Sequence, residues 1–154
     1  MCTEWTTLTP DNLETEHLCC IIRSKVSHPG VEAKRRWLAD RLPEGHVFRK
    51  LAGKKATVFI EYAPLETAWV PIVGDNYLYI YCLWVTGEHK GKGYGRAAME
   101  RALEYIRQKP FGDFSRVALT CSPENELALK LYRSMGFAET GRRDEDEIEL
   151  ALTL

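Results

Sequence analysis

Apolar positions in this chain recur at two different spacings, and the breaks between them predict the elements. Leu13, His17, Leu18, Ile21 and Ile22 follow Thr9-Pro10 at helical spacing, which predicts a helix from about Pro10 to Arg23, with Thr9 capping it and Pro10 in its first turn. Trp5 to Leu8 reads as a short strand before it. Ser27-His28-Pro29-Gly30 then breaks the chain, and Val31, Lys34, Trp37, Leu38 and Leu42 predict a second helix that stops near Pro43-Glu44-Gly45. Three β-rich runs follow, His46 to Leu51, Ala56 to Tyr62 and Ala68 to Val73. Gly53-Lys54-Lys55 is spaced as a hairpin turn between the first two, so together they predict an antiparallel meander.

The run Tyr77 to Val85 is apolar or aromatic at every position, the signature of a central strand buried on both faces. Tyr94 to Gln108 carries Ala97, Ala98, Ala102, Leu103 and Ile106 on one helical face, with Pro110 and Gly112 as the stop. Arg116 to Cys121 is the next strand; a helical crossover reaches it, so it is expected parallel to Tyr77–Val85. Asn125 to Met135 places Leu127, Ala128, Leu131 and Tyr132 at helical spacing and ends at Gly136. Phe137 to Thr140 and Ile148 to Leu154 close the chain as strands around a charged turn. The sum is an α/β domain with a mixed sheet and one parallel pair in mid-chain, taken as a single domain over residues 1–154 because no repeat, low-complexity tract or linker interrupts it.

Composition narrows the partners. A formal net charge of -1 gives no electrostatic reason to expect nucleic acid or an anionic membrane. Met1 to Trp5 lacks the basic and apolar regions of a signal peptide, and nothing approaches the roughly 18 apolar residues of a span, so a cytoplasmic location is expected. The five cysteines (Cys2, Cys19, Cys20, Cys82, Cys121) include no Cys-x-x-Cys and read as free thiols. The four histidines (His17, His28, His46, His89) show no i, i+4 pairing, and no metal site is predicted.

The candidate chemistry lies in Val85-Thr-Gly-Glu-His-Lys90-Gly91-Lys92-Gly93-Tyr94-Gly95-Arg96, a glycine-rich loop that joins the central strand to a helix start. Without Cβ atoms at Gly91, Gly93 and Gly95, backbone N–H groups can approach a bulky anion, and the helix dipole favours negative charge there; a pyrophosphate suits such a loop. A Walker A loop needs a Gly-Lys-Ser/Thr ending, but Arg96 and Ala97 open this helix. A dinucleotide loop needs a third glycine where Arg96 stands and an acidic residue near the end of the next strand, which here ends in Cys121-Ser122. The remaining alternative is a glycine-rich turn that binds nothing.

Lys90-Gly-Lys-Gly-Tyr-Gly95 in this setting resembles motif A of the GNAT superfamily of N-acetyltransferases, usually Arg/Gln-Gly-x-Gly-x-Gly/Ala, with Lys90 as a departure at the first position. Asn125-Glu-Leu-Ala-Leu-Lys130-Leu-Tyr132-Arg-Ser-Met-Gly136-Phe137 is similar to a second motif of that family, at the expected distance downstream. The resemblance covers nearly the whole chain but is uneven. Residues up to about Lys92, notably Phe59 to Pro71, resemble bacterial members of uncertain substrate, and Ser122 to Ile148 resembles bacterial diamine and polyamine acetyltransferases.

The resemblance implies a mainly antiparallel sheet with a central splayed parallel pair flanked by helices, and acetyl-coenzyme A as cosubstrate. It implies that Leu83, Trp84 and Val85 line the acetyl and pantetheine portions, that Lys90, Gly91, Lys92, Gly93, Tyr94, Gly95 and Arg96 hold the pyrophosphate, and that Asn125 and Lys130 assist. It also implies Tyr132 as the general acid that protonates the leaving thiolate; a phenol of pKa about 10 can protonate the thiolate of a thiol near 8.5. Asn125 as a helix cap, Lys130 as a solvated lysine and Tyr132 as a packed aromatic stand beside these roles.

For the proton that the acceptor amine must lose, Glu61, on a strand expected beside the central one, is the candidate base. Tyr81 is a candidate relay through water. An exposed place on a sheet face is the competing reading of Glu61, and Cys121 reads as a small buried residue. The acceptor is expected to be a primary amine, with small polyamines ahead of protein or peptide amines. A non-catalytic acyl-coenzyme A sensor on the same fold is the alternative from a different class, and a homodimer through edge strands is a further expectation.

Overall fold

The computed structural model describes all residues except 1–3, 19–28, 54–57, 69, 71, 73, 87–88, 109–113 and 144–145. In chain order its elements are β1 (Trp5–Thr7), α1 (Pro29–Arg41), β2 (Val47–Leu51), β3 (Val58–Pro64), β4 (Tyr77–Val85), α2 (Tyr94–Arg107), β5 (Arg116–Cys121), α3 (Glu126–Ser134), β6 (Ala138–Arg143) and β7 (Glu147–Thr153). The strands form a seven-stranded sheet in the order β1-β2-β3-β4-β5-β7-β6. The described registers are antiparallel for β1–β2, β2–β3, β5–β7 and β6–β7, and parallel for β4–β5, as the crossover through α2 requires. No helix among the described residues is long and apolar enough to cross a membrane.

The chain divides into two compact units, one of Met1–Tyr62 with Cys82–Leu103 and one of Ala63–Tyr81 with Glu104–Leu154. In the first, Leu8, Leu13, Leu18, Leu38, Phe48 and Phe59 form a buried cluster, with Val31, Leu42, Cys82 and Trp84 packed against it. Phe48 and Phe59 stack with ring centroids 4.6 Å apart, and each such fully buried side chain contributes about 1.5–3 kcal/mol. Pro29 and Gly30 open α1, where the sequence suggested a break ahead of the helix; a proline in the first turn loses no hydrogen bond. The helix runs into a tight turn at Leu42–Glu44. Gly45, at φ 92°, ends that turn by donating its N–H to the Leu42 carbonyl.

The helix expected from Pro10 is not formed over residues 10–18, where turns over 10–15 give way to a bend at Glu16 and irregular chain at 17–18; residues 19–23 lie outside the described residues. Thr9 O accepts from Asn12 N and Leu13 N, and Asn12 O accepts from Thr15 N and Glu16 N, so the helical bonding does not propagate. The cap also works backwards: Asn12 Oδ1 accepts from the Thr9 N–H at 2.8 Å. These turns are anchored instead by long side chains. Arg35 of α1 donates to the carbonyl of Leu13, and Lys50 of β2, 0% exposed, sits with its Nζ 2.6 Å from Glu16 Oε2 and 2.8 Å from the Gly53 carbonyl.

In the second unit Leu65, Ala68, Ile72, Tyr79, Ala118 and Ala151 form the buried cluster. The strand expected over Ala68–Val73 is absent at its described residues. Pro64 ends β3, Leu65–Thr67 forms a tight turn, and Ala68 continues as a bend; Pro71, lacking an N–H, suits a ladder poorly. The meander is therefore β1-β2-β3 with β4 beside it. Lys54 and Lys55 of the expected hairpin turn, Pro110 and Gly112 of the expected helix stop, and residues 144–145 of the charged turn lie outside the described residues. Asn125 caps α3 through Oδ1, which accepts from Ala128 N at 3.2 Å, and Gly136 leaves the helix at φ 100°.

β4 has the predicted limits but not the predicted burial. Leu78, Tyr79 and Ile80 are buried, whereas residues 81–85 are half-buried. The described ladder with β5 runs from Tyr77↔Arg116 to Ile80↔Leu119. The apolar character of the second half of β4 thus exceeds what its burial requires.

Candidate functional site

The glycine loop lies in the first unit, and its backbone is shaped before any ligand is considered. β4 ends at Val85, and the next residue, Thr86, is buried. Its carbonyl accepts from the His89 N–H at 2.9 Å, and its Oγ1 lies 2.9 Å from His89 Nδ1. The His89 ring meets the Tyr94 ring edge-on, with centroids 5.3 Å apart. Gly91 and Gly93 take φ of 77° and 80°, a region in which side chains with a Cβ are strained. A Cβ built at either would meet nothing within 4 Å, so these glycines serve the backbone conformation and leave open space beside it.

Ala97 N donates to Gly93 O at 3.0 Å as the first bond of α2. The N–H groups of Tyr94 and Gly95 therefore precede the first intrahelical bond. Lys90, Lys92 and Arg96 are exposed around the loop, and Arg96 reaches Glu100 only loosely, at 3.9 Å. Open backbone donors at the start of a 14-residue helix, with cations beside them, suit a pyrophosphate. Farther back on β4, the Trp84 indole packs against the apolar cluster, with its Nε1 buried and without a hydrogen-bond acceptor.

Glu61, also in the first unit, is not on an exposed sheet face. It is 3% exposed, with Oε1 accepting from Lys34 Nζ at 2.7 Å and Oε2 accepting from His46 Nε2 at 2.6 Å. Burial pushes its carboxyl upward, but the His46 hydrogen bond and the charge and hydrogen bond of Lys34 outweigh burial and hold it below the ordinary carboxylate value. The Lys34 Nζ lies 5.1 Å from the Phe48 centroid and 5.8 Å from that of Phe59, and the His46 ring meets Trp37 edge-on at 4.9 Å. Sequence reasoning missed Lys34 and His46 as partners of Glu61. The available signal was a lysine among the apolar positions of α1.

In the second unit, Tyr81 donates its hydroxyl to the Ala68 carbonyl at 2.6 Å. Tyr132 is buried on α3, its ring 5.8 Å from that of Phe137. Asn125 is occupied as the cap of α3, and Lys130 is exposed. Burial pushes the Cys121 thiol up, which keeps it protonated and unreactive at neutral pH. Among the described residues, no cluster of three or more His, Cys, Asp or Glu could hold a metal ion. A cavity of about 450 Å³ lined by Glu4, Trp5, Thr6, Thr7, Arg49, Ala52 and Arg101 contains none of the residues singled out from sequence.

Three kinds of comparison bear on these groups. The model of the acetyltransferase (GNAT) family matches residues 11–137. The uncharacterized N-acetyltransferase YoaP of Bacillus subtilis (strain 168) is 43% identical over 96 residues, 62% of this chain but 38% of that protein, so the match spans about two fifths of the relative's length. Among solved structures, the PaiA N-acetyltransferase from Thermoplasma acidophilum in complex with coenzyme A superposes with a TM-score of 0.66 at 15% identity, covering 100% of both chains. The ribosomal-protein-S18-alanine N-acetyltransferase from Escherichia coli gives a TM-score of 0.66 at 19% identity, covering 99% of this chain and 94% of that one. At those identities the two structures speak for the fold.

Proposed function

The chain belongs to the acetyltransferase (GNAT) family, and from that premise we propose that it transfers an acetyl group from acetyl-coenzyme A to a primary amine. The observation that carries this reading is the loop between β4 and α2. Two left-handed glycines open onto empty space, and the first turn of α2, the positive end of its dipole, follows them directly. Gly91, Lys92, Gly93, Tyr94, Gly95 and Arg96 would hold the pyrophosphate through backbone N–H groups, with Lys90 adding charge. Leu83 and Val85 would offer backbone groups to the pantetheine arm and the acetyl carbonyl, and a single such donor is worth about 3 kcal/mol where charge develops on oxygen. The half-buried second half of β4 supports this assignment. The Trp84 side chain would act from behind, holding the strand against the apolar cluster.

The thioester supplies the activated acetyl group; the chain moves the protons. Taking a proton from an ammonium of pKa about 10.4 at pH 7 costs roughly 4–5 kcal/mol. Delivering that proton directly to a carboxyl below about 4.5 would be uphill by roughly 8 kcal/mol, and both oxygens of Glu61 already accept hydrogen bonds. We therefore assign Glu61 the charge that orients His46 and Lys34, rather than the direct acceptance of the proton. Tyr81, whose own proton is directed at the Ala68 carbonyl, would relay through a water that carries the amine's proton away. Tyr132 would protonate the departing thiolate. Asn125 would act through α3, which it caps, and Lys130 through its charge.

Small polyamines stand first among acceptors, supported by the resemblance of Ser122 to Ile148 to diamine and polyamine acetyltransferases. Thiol release from acetyl-coenzyme A across spermidine, spermine, diamines, amino acids and peptides tests both reaction and acceptor. Turnover with polyamines but not peptides is expected, and peptide-only turnover would reverse the order. Tyr132→Phe should lower kcat by roughly 10- to 100-fold while leaving the Kd for coenzyme A unchanged. An unaltered kcat would remove Tyr132 from the reaction.

A further inference from the structure

We propose that His89 is a positioning residue that clamps the glycine loop into its ligand-ready shape by tying the end of β4 to the start of α2. The proposal rests on the reading of this loop as the pyrophosphate site. It adds a positioning side chain to a site otherwise made of backbone N–H groups and flanking cations.

The contacts are all local. Thr86, buried just past the last residue of β4, receives the His89 N–H on its carbonyl at 2.9 Å and faces His89 Nδ1 with its hydroxyl at 2.9 Å. The other side of the imidazole rests edge-on against Tyr94, the first residue of α2. One side chain therefore connects the two fixed ends of the loop, while Gly91 and Gly93 between His89 and Tyr94 hold φ of 77° and 80° with no neighbour around their missing Cβ atoms to keep them there. Glycines lose more conformational freedom on ordering than other residues, so a loop built on them loses affinity if the ligand itself must impose the order. A contact that fixes the loop in the free protein removes that loss.

The geometry also predicts how the parts divide. Thr86→Val keeps the buried volume and deletes the hydroxyl. His89→Ala deletes both the hydrogen bond and the ring contact. In His89→Asn, Oδ1 can replace Nδ1 opposite Thr86, but nothing replaces the ring against Tyr94. Two residues acting through one contact should be non-additive when removed together.

Calorimetric titration of coenzyme A, with the thermal midpoint of each protein, tests this. Thr86→Val and His89→Ala should each raise Kd roughly three- to ten-fold. The double variant should be no weaker than His89→Ala alone, and His89→Asn should recover part of the loss, all with nearly unchanged midpoints. Single variants that bind as the parent does, effects that multiply in the double variant, or a fall in midpoint with Kd unmoved would each overturn the clamp. If the unaltered protein does not bind coenzyme A, the cofactor reading itself falls and takes the clamp with it. Binding by the parent with indifferent variants removes the clamp alone.

Discussion

The first unit contains two polar arrangements built on opposite plans. Around Glu61 the carboxylate is saturated: it is buried, each oxygen has a donor, and the lysine and histidine that supply them lie against aromatic rings. Around Gly91 and Gly93 the polar groups are backbone, the space beside them is empty, and the charges of Lys90 and Lys92 point into solvent. A saturated cluster resists change and holds α1, β2 and β3 to one another. An unsaturated one is ready for a ligand that completes it. Substitutions in the two places should therefore move different observables.

The largest effect is expected at the saturated cluster. Glu61→Ala would strand Lys34 and His46 beside a buried gap, and removing one partner of a buried ion pair costs about 3–5 kcal/mol. At this chain length that corresponds to a fall in thermal midpoint on the order of 10 °C, measurable by calorimetry, with the Kd for coenzyme A nearly unchanged in the surviving folded protein. Next is Gly93→Val, which forces a β-branched residue to φ near 80°. Affinity for coenzyme A should drop on the order of 100-fold, while the midpoint falls by less than in Glu61→Ala, because the cost is backbone strain of about 1–3 kcal/mol with no crowding of the new side chain. A midpoint loss in the second variant as large as in the first, or an affinity shift in the first, would merge the two plans into one.

The smallest effect is in acid. The folded Glu61 carboxyl lies below its unfolded value, so its contribution to stability is complete above about pH 4.5 and fades as pH falls from there through the folded value. Denaturant titrations of the parent and of Glu61→Gln should thus converge as pH drops below about 4.5. Parallel curves across that range would place the stabilisation elsewhere.

The contrast between the two arrangements also explains what could be read from the sequence. The loop was legible because its chemistry depends on residue type at fixed spacing: glycines where φ must be positive, next to a strand and a helix whose limits follow from apolar pattern. β4 and β5 have the limits expected, Tyr77–Val85 and Arg116–Cys121, and α2 and α3 differ by a residue or so at their ends. The Glu61 cluster was not legible, because its partners stand 27 and 15 residues away in sequence and no local pattern announces a carboxylate's neighbours. The same limit governs residues 10–18. Their helical spacing is real, yet the segment is held by Arg35 and Lys50 from distant elements, which fix turns in place of a continuous helix. At the described residues of Ala68–Val73, β-forming tendency was outweighed by Pro64 and by the packing of Ala68 and Ile72 into the second cluster.

Lys50 has one more consequence in a protein read as a modifier of amines. An enzyme that handles acetyl thioesters exposes its own lysines to them, and every accessible lysine amine on its surface is a candidate for self-modification in its neutral form. Lys50 is withheld twice over: it is 0% exposed, and its nitrogen is engaged by the Glu16 carboxylate and the Gly53 carbonyl. The lysine whose charge ties β2 to the turns before α1 is thus, among the described residues, the one best shielded from stray acetylation.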